Sequence, residues 1–509
     1  MTLPPAPQLL IDGKLTPAAD GATYPILNPA SGGEIGRAPD ATAEDVDRAI
    51  GAARRAFDET DWSTNLELRV RCLRQLHEAL VEHGPAMREL TTAEAGAPAF
   101  LTAGPQYDIP VEGLRWTVDL AERYAWEQDL GVAEPMGIPT RRTIRREAVG
   151  VVAAITPWNF PNQINLAKVG PALAAGNTGV LKAAPDTPWV ACELGRLAAE
   201  HTDLPPGVLN VVTPSRNAVA GVLTTDPRVD LVSFTGSTAT GKAIMTAAAP
   251  TLKRVFLELG GKSAAIVLDD ADLAAAVGTT AFSVCIHAGQ GCALTTRLLV
   301  PRERYDEAVQ VAAATMESIG TGDPTDPGTV CGPVISQAQR ERVQGYLRLA
   351  EEEGATFATG GGVDDARTEG YWIRPTVVAG LDNGSPVAQH EIFGPVLVVI
   401  PHDGDDDAVR IANDSAYGLS GSVDSGDLAR AKAVAARIRT GTLAVNGGVW
   451  YHADAPFGGY KQSGIGREMG VAGFEEYLET KLIAEPAPPV VEQRAPASVV
   501  ETPEGKAGQ

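Results

Sequence analysis

The sequence predicts an α/β protein built on two Rossmann-like parallel sheets with a small β extension, and three observations carry that prediction. From Gly150 onward, short apolar runs alternate with helical stretches, a pattern that implies right-handed crossovers and parallel sheets covered on both faces. A second α/β section follows from about Ala271 to Val445. A chain of 509 residues also exceeds what one core accommodates, because single cores stop growing near ~250–300 residues.

After an arm containing Leu9-Leu-Ile-Asp-Gly-Lys14, the run Thr42-Ala-Glu-Asp45 reads as a capping-box start, with Val46, Ile50, Ala53 and Phe57 on one face. A second helix carries Val70, Leu73, Leu76 and Leu80, with Gly84 as its stop. The basic segment Thr140 to Arg146 reads as a strand outside the main core. Strands are expected at Val151 to Thr156, Thr178 to Lys182, Val208 to Val212, Leu231 to Thr235 and Val255 to Leu259, with helices at Val190 to His201 and Thr238 to Ala248. In the second section, strands are expected near Arg297 to Val300, Trp372 to Val377 and Gly441 to Val445, with helices at Arg304 to Ile319 and Gln337 to Glu353. Tyr477 to Ile483 is a further strand, and 486–509, rich in Pro, Ala and Glu, reads as a disordered tail.

Composition narrows the function classes. A net charge of −22 argues against nucleic acid or an anionic membrane as partner. No apolar run approaches the roughly 18 residues of a membrane span, and Met1-Thr-Leu-Pro-Pro-Ala-Pro7 lacks a secretory pattern, so the expected location is cytoplasmic. Five scattered cysteines give neither a disulfide framework nor metal-ligand spacing, and no metal is expected.

The stretch Phe256 to Arg297 carries the chemistry. Cys292 lies among glycines and small residues, where a stabilised thiolate is a nucleophile and an inert thiol is a small core residue. Glu258 ends an apolar strand, where it is either a carboxyl of raised pKa suited to a base or a satisfied structural carboxylate. Asn159, in the rigid loop Thr156-Pro-Trp-Asn-Phe-Pro161, is placed to donate to an oxyanion or simply to close the turn. Phe234-Thr-Gly-Ser-Thr-Ala-Thr-Gly-Lys242 follows a strand and opens a helix; its Gly-x-Thr-x-x-Gly spacing departs from the dinucleotide pattern, so by itself it is either a phosphate-binding turn or an ordinary βα turn. Gly260-Gly-Lys-Ser263 is no P-loop, because Phe256 stands where its first glycine belongs.

Eight motifs in one order resemble the NAD(P)-dependent aldehyde dehydrogenase superfamily over roughly Leu10 to Ile483. They are Pro157-Trp-Asn-Phe-Pro161, Gly170 to Asn177, Leu181-Lys182, Phe234-Thr-Gly-Ser237, Leu257-Glu-Leu-Gly-Gly-Lys262, Gly289-Gln-x-Cys292, Glu391-Ile-Phe-Gly-Pro395 and Pro456 to Gly464. The resemblance implies Cys292 as nucleophile, Glu258 as general base and Asn159 as oxyanion donor. It implies Ile155, Thr156, Trp158, Lys182, Gly236, Ser237, Glu391 and Phe393 as the cofactor site, with Lys168 and Glu468 in proton release. Phe160, Gln163, Ile164, Ala167, His287, Tyr451 and Phe457 are the expected substrate pocket, and the small Ala167 predicts extra room near the aldehyde.

The implied layout is a dinucleotide-binding domain from 1–130 and 150–260, an oligomerisation segment from 131–149 and 468–485, and a catalytic domain from 261–467. Expected ligands are a medium-sized or bulky hydrophobic aldehyde and NAD, with NADP as the alternative because Pro185 replaces a carboxylate that would repel a 2′-phosphate. A homodimer or homotetramer is expected. The competing enzyme is a CoA-acylating semialdehyde dehydrogenase, against which Glu258 argues; the competing non-enzyme is a catalytically silent binding protein. His287 stands where the family commonly has Asn, and it reads as a hydrogen-bonded structural histidine more readily than as an acid-base group.

Overall fold

A computed structural model describes residues 7–487. Its first sheet runs, from edge to edge, Lys14–Thr16, Leu9–Ile11, Leu209–Val212, Thr178–Lys182, Val151–Ile155, Leu231–Thr235, Arg254–Glu258 and Gly464–Ile465. The middle five strands are parallel, and the outer pairings are antiparallel. In chain order those five stand 3-2-1-4-5, so the winding reverses between Val151–Ile155 and Leu231–Thr235. A crevice opens outside the carboxyl ends of parallel strands at such a reversal.

The second sheet runs Thr356–Thr359, Thr376–Ala379, Val396–His402, Arg297–Pro301, Ala264–Val267, Gly421–Asp424 and Ala444–Val445. All but the first pairing are parallel. Its inner strands Thr376–Ala379, Val396–His402, Arg297–Pro301 and Ala264–Val267 bury nearly every side chain, as a sheet covered on both faces requires. Residues 125–147, together with the described residues from 479, form a separate compact unit, in which Glu127–Ala133 pairs antiparallel with Thr140–Ala148 and the last strand, Leu478–Pro486, completes a three-stranded sheet. No helix among the described residues is long and apolar enough to cross a membrane.

The first helix, Ala43–Glu59, opens on a two-way capping box between Thr42 and Asp45, and Val46, Ile50 and Ala53 are buried. Local chemistry accounts for the departures. The second helix, Leu66–Glu82, ends at its C-cap His83, directly before the expected stop at Gly84, and Gly84 then opens a further helix, Gly84–Ala95, with Pro85 at a position whose N–H no helix uses. The strand expected at Trp372 to Val377 begins at Thr376, since Pro375 lacks a ladder donor and Ile373 makes only an isolated bridge to Val363. The strand expected from Gly441 shortens to Ala444–Val445, because the Gly441 and Thr442 amides are used by the Gly418 and Leu419 carbonyls. The last strand runs Leu478–Pro486, so Pro486 belongs to that strand and not to the expected tail, and 488–509 lie outside the described residues.

Candidate active site

Strand register brings the cofactor candidates to one edge. Ile155 pairs with Lys182 on one side and with Phe234 on the other, so Thr156, Lys182 and Gly236 emerge from adjacent strand ends at the winding reversal. The Thr156 amide donates to the Lys182 carbonyl at 3.1 Å, and its hydroxyl donates to Asn165 at 2.8 Å. Ser237 caps the helix Thr238–Ala248, accepting from the Thr240 amide. A Cβ at Gly236 would lie 2.5 Å from the Phe234 ring, so only glycine fits that turn. The Lys182 ammonium makes no ion pair among the described residues, and burial pushes it down to about 8 against the pull of Asp186. Glu391 accepts from the Gly261 amide at 2.9 Å, and burial pushes its carboxyl up to about 7. Phe393 sits in the left-handed region at φ 62°, with its ring edge-on to Trp158 at 5.4 Å. A turn with no room for a side chain, an unpaired lysine and a carboxyl over Gly260 fit a dinucleotide.

One cavity of about 710 Å³ contains Cys292, Glu258 and Asn159 together. Phe160, Gln163, Ile164, Leu294, Trp450, Tyr451 and Phe457 wall it, with Trp450 stacked on Phe457 at 5.2 Å. The floor is made by close contact of two loops: a Cβ at Gly261 would lie 2.6 Å from the Cys292 carbonyl. Cys292 is the single cysteine that is not buried. Burial and the carboxyls of Glu391, Glu258 and Glu468 hold its thiol well above the ordinary range.

Glu258 is 2% exposed, and neither carboxyl oxygen has a hydrogen-bond partner among the described residues. A Cβ at Gly458 would stand 2.6 Å from its Oε1, so glycine there leaves the carboxyl its space. Burial first, then the charge of Glu468, raises its pKa well above the usual value, while Lys168 and Arg467 act in the opposite sense. Lys168 and Glu468 form a buried ion pair at 3.0 Å, and Lys168 Nζ also donates to Ser233 Oγ at 3.1 Å. Glu468 reaches the cavity wall, and Lys168 lies behind it.

Two pocket expectations are corrected. Ala167 lines a neighbouring cavity of about 50 Å³ with Trp116, Leu166 and Phe474, not the one that holds Cys292. It shares a helix face with Phe160, but seven residues at 1.5 Å each carry it about 10 Å along the axis. Gly291 and Leu294 do line the cavity that holds Cys292, with Leu294 packed so closely on Gly291 that a Cβ there would lie 2.9 Å from it. His287 is 1% exposed and does not line the cavity. Its Nε2 meets the Asn159 carbonyl at 2.9 Å, and burial pushes the ring down to about 4, which keeps it neutral. Sequence reasoning missed Trp450 and Gln106. Trp450 adjoins Tyr451 and carries the aromatic signal that would have found it; Gln106 has no local signal.

A cavity-lining thiol, a buried carboxyl without a hydrogen-bond partner among the described residues and an amide stand together, an arrangement suited to an oxidoreductase. The profile of the Aldehyde dehydrogenase family matches residues 16–483, and the chain belongs to that family. It is 43% identical over 480 residues to a 3-succinoylsemialdehyde-pyridine dehydrogenase of a Pseudomonas species, covering 94% of this chain and 98% of that one. It is 41% identical to the geranial dehydrogenase of Castellaniella defragrans, covering 90% and 94%. Among solved structures, a variant of aldehyde dehydrogenase C from Pseudomonas syringae, in complex with NAD+ and octanal, matches with a TM-score of 0.89, 40% identity and coverage of 94% and 96%. The betaine aldehyde dehydrogenase of Staphylococcus aureus, in complex with NAD+, matches at 0.91 and 36% identity, covering 96% of each chain.

Proposed function

We propose that this protein oxidises a medium-sized or bulky hydrophobic aldehyde to the acid, with NAD as oxidant and Cys292 as nucleophile. The observation that carries the reading is the placement of Glu258, with two unpartnered carboxyl oxygens, in the same cavity as the one accessible thiol. The Cys292 thiolate attacks the carbonyl carbon, and the resulting alkoxide accepts a hydrogen bond from Asn159 Nδ2. Thr156, Lys182, Gly236, Ser237, Glu391 and Phe393 would hold NAD, which would supply the hydride acceptor needed to oxidise this adduct to a thioester. Glu258 then takes a proton from water, which attacks the thioester and frees the acid and the thiol. Glu468, paired with Lys168, shares the cavity with Glu258 and provides a route for that proton.

Asp186 puts a negative charge near Lys182, which would disfavour a 2′-phosphate there and supports NAD over NADP. For the substrate, the cavity's aromatic and aliphatic walls support an apolar body, and the charged residues that line it are Glu258, Glu468, Asp272 and Asp424. With no Lys, Arg or His on that wall, an aldehyde bearing its own carboxylate has no counter-charge. The relatives that act on geranial and bind octanal agree with this reading.

The test is an initial-rate screen of aldehydes with each cofactor. Bulky apolar aldehydes should exceed acetaldehyde in kcat/KM, and comparable values would remove the substrate reading. Cys292→Ala should abolish oxidation; retained turnover would remove the mechanism. We also propose that the three-stranded sheet of the 125–147 unit mediates a homodimer or homotetramer, because Leu130, Val132, Ile138, Leu482 and Ile483 expose apolar surface there.

A further inference from the structure

Three side chains close a hydrogen-bond cycle around the oxyanion residue. Asn159 Nδ2 donates to the Gln290 carbonyl at 2.9 Å, leaving its second N–H for the cavity it lines. Gln290 Nε2 donates to the His287 carbonyl at 2.9 Å. His287 Nε2 lies 2.9 Å from the Asn159 carbonyl; a carbonyl only accepts, so Nε2 carries the proton. Gln106 Nε2 donates to that same carbonyl at 2.8 Å, so it receives two donors. Gln290 is held in turn by the Ile335 amide, which donates to its Oε1 at 2.8 Å. Gln106, His287 and Gln290 are buried, and none of them lines the cavity.

We propose that Gln106, His287 and Gln290 are positioning residues that aim the Asn159 amide at the oxyanion formed on Cys292. Asn159 and Cys292 come from elements far apart in the chain, and relative placement errors of an ångström cost about a hundredfold in rate. The cycle joins them: Gln290 stands two residues before the nucleophile and receives the Asn159 side chain, and His287 returns to the Asn159 backbone. The left-handed residues His287, Ala288 and Gly289, at φ 50°, 53° and 72°, turn the loop so that one segment reaches both ends of Asn159. The cycle fixes the loop without entering the substrate's space.

This inference rests on Asn159 as the oxyanion donor, and its test uses the full chain without cofactor. p-Nitrophenyl acetate acylates a thiolate through a tetrahedral alkoxide: the S–C bond forms, the C–O bond breaks, and p-nitrophenolate leaves with the electron pair. Iodoacetamide alkylates the same thiolate by displacing iodide, with no oxyanion. His287→Leu and Gln106→Leu should slow acylation about tenfold or more and change alkylation less than twofold, and His287→Gln, which keeps an N–H donor, should restore most of the loss. Equal loss in both reactions, or no loss of acylation, overturns the proposal. If His287→Leu does not fold, Gln106→Leu, near-equal in volume, decides by the same criteria. Unchanged acylation in Asn159→Ala instead overturns the oxyanion assignment itself; a slow Asn159→Ala beside a fast Gln106→Leu overturns only the positioning role.

Discussion

At the scale of single residues, burial sets the pH behaviour. In the proposed mechanism Cys292 and Glu258 both act ionised, and both are held above their ordinary ranges by burial and neighbouring carboxyls. Each therefore gains its active form as pH rises, so kcat/KM measured from pH 7 to 9.5 should climb; a fall across that window contradicts the assignment. His287, at about 4, stays neutral throughout and adds no inflection. Replacing Glu258 by Gln removes the base and spares the thiol. We expect one equivalent of NADH in a rapid burst, then steady turnover lowered about 10²–10⁴-fold; loss of the burst would show that Glu258 is needed before hydrolysis. Lys168→Met leaves the buried Glu468 charge unpaired, which costs about 3–5 kcal/mol and withdraws a cation that lowers the Glu258 pKa. Calorimetry should show the lower melting temperature, and the rate profile should move to higher pH.

Helices and strands depend on local signals that tertiary contacts complete or override. The Ala43–Glu59 helix was legible because its cap and its apolar face lie within one segment. The helix Trp189–His201 has no side-chain cap of its own. Its first amides, on Trp189 and Val190, donate at 2.9 Å to the two carboxyl oxygens of Glu94, a buried residue of another helix. Glu94→Ala should leave two buried donors unmatched, costing roughly 2–5 kcal/mol; Glu94→Gln, which keeps one acceptor, should cost less. Thermal unfolding of the two variants checks the order. The strand Val396–His402, central in the second sheet, escaped sequence reading, although its apolar run is clear. A buried parallel strand shows no alternation to set it apart from any other apolar run.

For the whole molecule, the sheet of the 125–147 unit joins a hairpin to a C-terminal strand through sequence separations that no local rule anticipates. Leu482→Asp with Ile483→Asp should lower the mass measured by light scattering toward that of one chain, if this sheet makes the oligomer; an unchanged mass assigns assembly to another surface.

Sequence alone determined the parallel α/β class, the family resemblance, and the candidates Cys292, Glu258 and Asn159, because each rests on short segments whose residue types announce their chemistry. Tertiary structure alone decided that Glu258 has no partner, that Ala167 faces a different cavity, and that Gln106 and His287 both hold the Asn159 carbonyl. The physical reason is common to all three. Burial, hydrogen-bond satisfaction and the direction of a side chain depend on what other segments bring within a few ångströms, and the winding of the sheets, not the order of residues, sets those neighbours.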